Sequence, residues 1–174
     1  SLNVGDRILL NDGKIEMRVD FASPERVDAT VVRGNEIWSR RGFNLPDTEI
    51  NTSVLTTKDR ADLEYAITKN PDYVAISFVQ RPEDVAEVRD FITAHTAHPI
   101  KIIAKIERPN AVERITDIAA VADGIMIARG DLAVEVPYAE VPAISRHIIR
   151  ECRKMNKPVI VTTPSLGSMR ASEF

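Results

Sequence analysis

Four short apolar runs constrain this chain more than any other feature: YVAISFV from Tyr73, IKIIAKIE from Ile100, GIMIA from Gly124 and PVIVTT from Pro158. Between and around them lie segments of helical periodicity. KDRADLEYAITKN can be capped by Thr56 or Thr57, PEDVAEVRDFITAH starts on a proline, and AVERITDIAAVA and VPAISRHIIRECRKM follow in turn. Short apolar strands alternating with helices mean βα units and a parallel sheet. Strands that are apolar throughout need cover on both faces or closure into a barrel. About four helices are available to provide it, so the core looks incomplete by itself.

The first part of the chain, to about Phe43, has a different pattern. DRILL, KIEMRV and RVDATVV are β-leaning pieces separated by turn residues, Asn11-Asp12-Gly13 and Arg33-Gly34-Asn35. The Asp-Gly step supplies the positive φ of a tight hairpin. This region reads as antiparallel β without a helix, and no cluster of His, Cys or carboxylates marks it for chemistry.

Bulk properties narrow the function classes. The chain has 174 residues, 44% hydrophobic and 28% charged with 5% aromatic, which is an ordinary globular composition. Its net charge of -3 arises from intermixed signs, with no basic block or aromatic-interleaved stripe for nucleic acid. Cys152 is the single cysteine, which excludes an internal disulfide, and no apolar segment approaches the roughly 18 residues of a membrane span. A cytoplasmic setting without nucleic-acid or membrane partners is the expectation, and SLNVGD shows neither part of a signal peptide.

Strand alternation then picks out candidate chemistry. In KIIAKIE, Ile102, Ala104 and Ile106 share one face while Lys105 and Glu107 share the other, at the strand's C-terminal end. In parallel α/β folds that end is where ligands bind. Taken alone, the Lys/Glu pair reads as a strand end emerging into solvent. The next strand changes the weighting, because GIMIARGD places Asp131 just past its own C-terminal end. If the strands are neighbours, Glu107 and Asp131 meet at one rim and can share a divalent cation, with other positions left for water and substrate. Gly130 lets a ligand approach the backbone, the amides near residues 130 to 132 suit an anionic group, and Lys105 adds a fixed positive charge. Such a site suits an enolate or a phosphoryl group. Arg129-Gly130-Asp131 also spells an adhesion tripeptide, but adhesion needs an exposed loop tip rather than the end of a buried strand. His95 and His98 read as loop residues and His147 as a helix residue, with solvated or structural roles.

These motifs, in order, resemble the pyruvate kinase family. The likeness runs through VGDRILLNDGKIEMRV, RGFNLPDTEINTSVLTTKDRADLEYAI, YVAISFVQRPEDVAEVRDFI, KIIAKIERPNAV, DGIMIARGDLAVEVP and KPVIVTTPSLGSM, nearly the whole chain. The resemblance implies an α/β fold: a partial TIM (β/α)8 barrel of about four βα units over residues 44–174. Residues 1–43 would be the C-terminal part of a β-barrel lid domain. It implies phosphoryl transfer from phosphoenolpyruvate to ADP, giving pyruvate and ATP in glycolysis, with Mg²⁺ or Mn²⁺ and K⁺, in a homotetrameric parent protein.

Residue by residue, Lys105 matches the lysine that stabilises the phosphoryl group in flight, and Glu107 and Asp131 match the metal carboxylates. Gly130 and Asp131 match the backbone positions that receive the substrate carboxylate. Thr163 matches the threonine beside the enolpyruvate carbon, and Phe78 a phenylalanine near the substrate. The family's first three barrel strands, with the K⁺ ligands, would precede Ser1, and its eighth strand and regulatory domain would follow Phe174. The isolated chain is therefore expected to show little or no activity.

Some positions depart from the family pattern. TTPSLGSM stands where ATQMLESM is common, placing Pro164, Ser165 and Gly167 at changed positions. Ala133 replaces a glycine in DLAVE, a change without cost if its φ is negative. ERPNAV stands for the commoner ENxEGV. Two other readings stay open: a Mg²⁺-dependent pyruvate-enolate aldolase or lyase of similar barrel form, and a diverged relative without turnover. Lys105 separates the first of these, because an aldolase needs no phosphoryl-stabilising cation there.

Overall fold

The structure is a computed structural model and describes residues 2–37, 39, 42–48 and 53–162. Two sheets organise it. The first is antiparallel, with strands β1 (Arg7–Leu10), β2 (Ile15–Ala22), β3 (Val27–Arg33) and β4 (Phe43–Asn44) in the order β3-β2-β1-β4. Asn11, Asp12 and Gly13 all take positive φ, so the expected hairpin joins β1 to β2. Gly34 closes the β3 end at φ +117, where an added Cβ would lie 3.0 Å from Ile15 Cα, so only glycine fits.

The second sheet is parallel: β5 (Tyr73–Ile76), β6 (Lys101–Ile106), β7 (Gly124–Ile127) and β8 (Val159–Val161), paired in chain order. The connecting helices are α1 (Thr57–Ile67), α2 (Pro82–His95), α3 (Pro109–Glu113), α4 (Ile115–Val121), α5 (Arg129–Glu135) and α6 (Val141–Lys154). Thr56 is the N-cap of α1 and forms a reciprocal capping box with Asp59. Pro82 opens α2, where Asp84 accepts the N–H groups of Gln80 at 2.8 Å and Arg81 at 3.2 Å. The segment expected as one helix after Pro109 is broken at Arg114, whose φ of −101° and ψ of 18° are not helical. The break re-aims the chain so that Ala111 before it and Ile115, Ile118 and Ala119 after it all reach the core.

The core forms on one side of the parallel sheet. Ile102, Ala104, Ile106, Ile125 and Ile127 are fully buried against Val85 and Val88 of α2, Ile118 of α4 and Ile148 of α6. Each such side chain contributes about 1.5–3 kcal/mol on removal from water. The opposite face is not covered in the same way: Tyr73 is 53% exposed, Ile160 43% exposed and Met126 half-buried. Cover on both faces is thus not what the described residues provide. Ile67 of α1, Val85 and Val88 of α2, Ile118 of α4 and Ile148 of α6 all pack into this one core, as a segment of a barrel wall requires.

His95, expected in a loop, is the last residue of α2 and stacks on Phe91 one turn back with ring centroids 4.2 Å apart. Ala133 lies within α5 and is not among the residues of positive φ, so the missing glycine costs nothing there. Among the described residues, no helix is long and apolar enough to cross a membrane.

Candidate active site

The C-terminal rim of the parallel sheet gathers most of the residues singled out from sequence. Register aligns Ile76 of β5 with Ala104 of β6, so the next residues, Ser77 and Lys105, point to the same face. Lys105 Nζ donates to Ser77 Oγ at 2.9 Å and pairs with Glu107 Oε1 at 2.6 Å. The Glu107 side chain is only 2% exposed, so it is not a strand end emerging into solvent. Its second oxygen accepts the N–H of Phe78 at 2.8 Å. A buried carboxylate is stable only with such charged and hydrogen-bonded partners.

Phe78 pays for that contact in backbone conformation. Its φ is +58°, a left-handed value that few bulky residues adopt, and its ring is 55% exposed at the rim. Strain of this kind costs about 1–3 kcal/mol and gathers at functional sites. Here it aims the amide at Glu107.

β7 stands beside β6, with Ile106 opposite Ile127 and Ala128 N–H donating to Ile106 O at 3.2 Å. The chain then turns directly into α5, so Gly130 and Asp131 occupy its first turn, and among the described residues no side chain caps its N-terminus. Glu107 and Asp131 therefore issue from adjacent strand tips on one rim, the first buried and the second exposed. Among the described residues no group of three or more His, Cys, Asp or Glu side chains is placed to hold a metal ion. Two carboxylates are nonetheless a sufficient protein share for Mg²⁺, which takes one or two and fills its octahedron with water and substrate oxygens. Gly130 has no positive φ, so any need for glycine there is one of close approach rather than of turn geometry. Thr163, Pro164, Ser165 and Gly167 lie outside the described residues. Thr162 donates through both N–H and Oγ1 to Ile127 O at 3.1 Å, which fixes the end of β8 against β7.

One feature escaped sequence reasoning. Arg108 and Glu135, 4% and 2% exposed, form a buried ion pair at 3.2 Å directly behind the rim. Arg108 Nη1 also reaches Gln80 Oε1 at 3.0 Å, and Asn44 Nδ2 donates to Glu135 Oε1 at 3.0 Å. The available signals were adjacency of Arg108 to Glu107 and the four-residue spacing of Asp131 and Glu135 along α5. A cleft of about 790 Å³ opens beside β5. Ser77, Phe78, Arg108 and Glu135 line it, but Lys105, Glu107 and Asp131 do not, so the candidate chemistry sits at the rim rather than in this cleft. Cys152 is fully buried in the core, and burial pushes its thiol pKa up, which makes it a packing residue rather than a nucleophile.

Comparison with known proteins bears on the family and the fold. The family model for the pyruvate kinase barrel domain matches residues 1–173. A pyruvate kinase from Agrobacterium vitis is 44% identical over 97% of this chain and 35% of its own length. One from Geobacillus stearothermophilus is 42% identical over 97% of this chain and 29% of its own. The crystal structure of a pyruvate kinase from Cryptosporidium parvum superposes with a TM-score of 0.91 at 33% identity, covering 97% of this chain and 36% of that one. The chain thus spans about a third of the length of the relatives it matches. With the family model, the sequence relatives and the fold in agreement over nearly every residue, the chain belongs to the pyruvate kinase family.

Proposed function

We propose that this chain carries part of the phosphoryl-transfer centre of a pyruvate kinase, which moves the phosphoryl group of phosphoenolpyruvate to ADP and yields pyruvate and ATP. The observation that carries the reading is the Lys105 and Glu107 pair, 2.6 Å apart and anchored by Ser77 Oγ and the Phe78 amide at the C-terminal rim. Lys105 supplies a fixed ammonium for the charge on the phosphoryl oxygens during transfer. Positioning and charge neutralisation provide most of the catalysis in this class of reaction.

Glu107 and Asp131 are the residues that would hold Mg²⁺ or Mn²⁺, and their donor set fits: oxygen only, from the tip of β6 and from the first turn of α5 after the adjacent β7. A bound divalent ion would act as a Lewis acid toward the phosphoryl and enolate oxygens. Gly130 and Asp131, in the first turn of α5, offer backbone groups to the substrate carboxylate. The Phe78 ring would border the substrate, and Thr163, outside the described residues, is by family resemblance the candidate for the group beside the carbon that receives the proton. K⁺ and most nucleotide contacts are assigned to other parts of the parent protein. A place in glycolysis, a cytoplasmic setting and a homotetrameric parent belong to the same reading.

The test is Lys105→Met in the full-length protein. Phosphoryl transfer should fall by about 10³-fold or more, the scale of several kcal/mol of transition-state stabilisation, while Mn²⁺ still binds. Unchanged turnover would remove Lys105 from its role. ADP-independent formation of pyruvate would point to the lyase chemistry instead.

A further inference from the structure

Each candidate metal carboxylate has a member of the buried pair as a near neighbour in the chain. Arg108 directly follows Glu107, and Glu135 stands one helical turn after Asp131 on α5. The 3.2 Å contact between Arg108 Nε and Glu135 Oε2 therefore ties the tip of β6 to α5 immediately behind Glu107 and Asp131. The remaining arms of the guanidinium fix its orientation. Nη1 donates to Gln80 Oε1 at 3.0 Å, and Nη2 donates to the carbonyls of Leu45 and Thr48, the latter at 3.2 Å. Glu135 is held from its other side by Asn44.

The segment supplying Asn44, Leu45 and Thr48 is itself anchored to the antiparallel sheet. Arg7 grips Asp47 through two side-chain contacts of 2.9 and 2.7 Å, and Thr48 Oγ1 donates to Asp6 at 3.0 Å. The pair thus has one geometry, set by four segments. Buried ion pairs are poor devices for stability, since apolar side chains of similar size do as well. What this one provides is a fixed separation.

We propose that Arg108 and Glu135 are positioning residues that set the distance between Glu107 and Asp131 and thereby tune divalent-metal affinity at the rim. The inference rests on the reading of Glu107 and Asp131 as metal ligands. Groups that orient metal ligands typically change affinity by 10–100-fold when altered. Arg108→Lys keeps the charge but loses the fork that reaches three directions, and Glu135→Gln keeps the shape and an acceptor but loses the charge.

The experiment is Mn²⁺ titration of the full-length protein by electron paramagnetic resonance, with thermal melting of each variant alongside. Arg108→Lys and Glu135→Gln should weaken Mn²⁺ binding by about 10–100-fold in folded protein. Wild-type affinity in the folded variants, even with a lowered melting temperature, would show a structural role alone and overturn the proposal. If Arg108→Lys does not fold, the near-isosteric Glu135→Gln decides; if neither folds, the pair is a folding element and the proposal fails. Glu107→Gln and Asp131→Asn separate the two levels. If they bind Mn²⁺ normally, the metal reading falls; if they lose it while the other two variants do not, only the positioning role falls.

Discussion

The two ends of the parallel sheet use charge in opposite ways. At the N-terminal end, Asp123 accepts the Ile102 N–H at 2.8 Å and an Arg89 Nη2–H at 2.9 Å, and Arg89 also donates to Val121 O at 2.9 Å. Lys157 donates to Ala122 O at 2.7 Å. These cations meet the last carbonyls of α4, where the helix dipole favours positive charge, and neither is buried, the Arg89 side chain being 40% exposed. At the C-terminal end, Glu107, Arg108 and Glu135 are almost wholly buried. Charge near water serves as an inexpensive helix cap, whereas charge taken out of water carries a large desolvation cost that stability alone does not explain. The contrast matches the division of labour in barrels, with stability at one end and chemistry at the other.

That contrast can be broken by paired substitutions. Arg108→Met strands the Glu135 carboxylate out of water and should destabilise the fold by about 3–5 kcal/mol in denaturant titration. Arg89→Met, at the exposed end, should cost about 1 kcal/mol or less. Equal losses at the two ends would refute the difference in burial as their physical distinction. A smaller effect concerns the strained amide that faces Glu107. Phe78→Gly should be more stable than Phe78→Ala by about 1 kcal/mol, because only glycine adopts φ +58° without penalty. If alanine proved the more stable, the left-handed conformation would be wrong.

The smallest effect is electrostatic and lies at the N-terminal end. Burial alone would raise the Asp123 carboxyl, but the Ile102 amide and Arg89 outweigh it and hold the group below its usual range. The stability it lends is therefore present above the ordinary carboxyl range and is lost as pH falls through the lowered value. Asp123→Asn should flatten the acid limb of the stability curve, by no more than the roughly 1 kcal/mol scale of an exposed pair. An unchanged acid limb would remove Asp123 as a contributor.

Much of this was legible in the residues. Strict alternation put Lys105 and Glu107 on one face, because a strand has a period of two and no freedom to choose otherwise. The apolar runs identified all four parallel strands, and Asp12-Gly13 identified the hairpin, since each depends on local chemistry alone. The rest depended on distance. The position of Arg108 beside Glu107 hints at a role but does not name a partner 27 residues away, and nothing in Phe78 announces a positive φ, which glycine would have signalled and phenylalanine hides. The burial of Glu107 is hidden for the same reason. Its neighbours Ser77 and Phe78 come from another strand, and the sequence pattern describes only its own.

The central claim is that the buried, C-terminal rim holds the divalent metal. Mn²⁺ titration of full-length protein carrying Glu107→Gln, Asp131→Asn or Asp123→Asn tests it most directly. The account predicts that the first two lose high-affinity binding and that Asp123→Asn, at the other end of the same strands, binds like the parent. Normal binding in both rim variants, or loss of binding in Asp123→Asn alone, would contradict it.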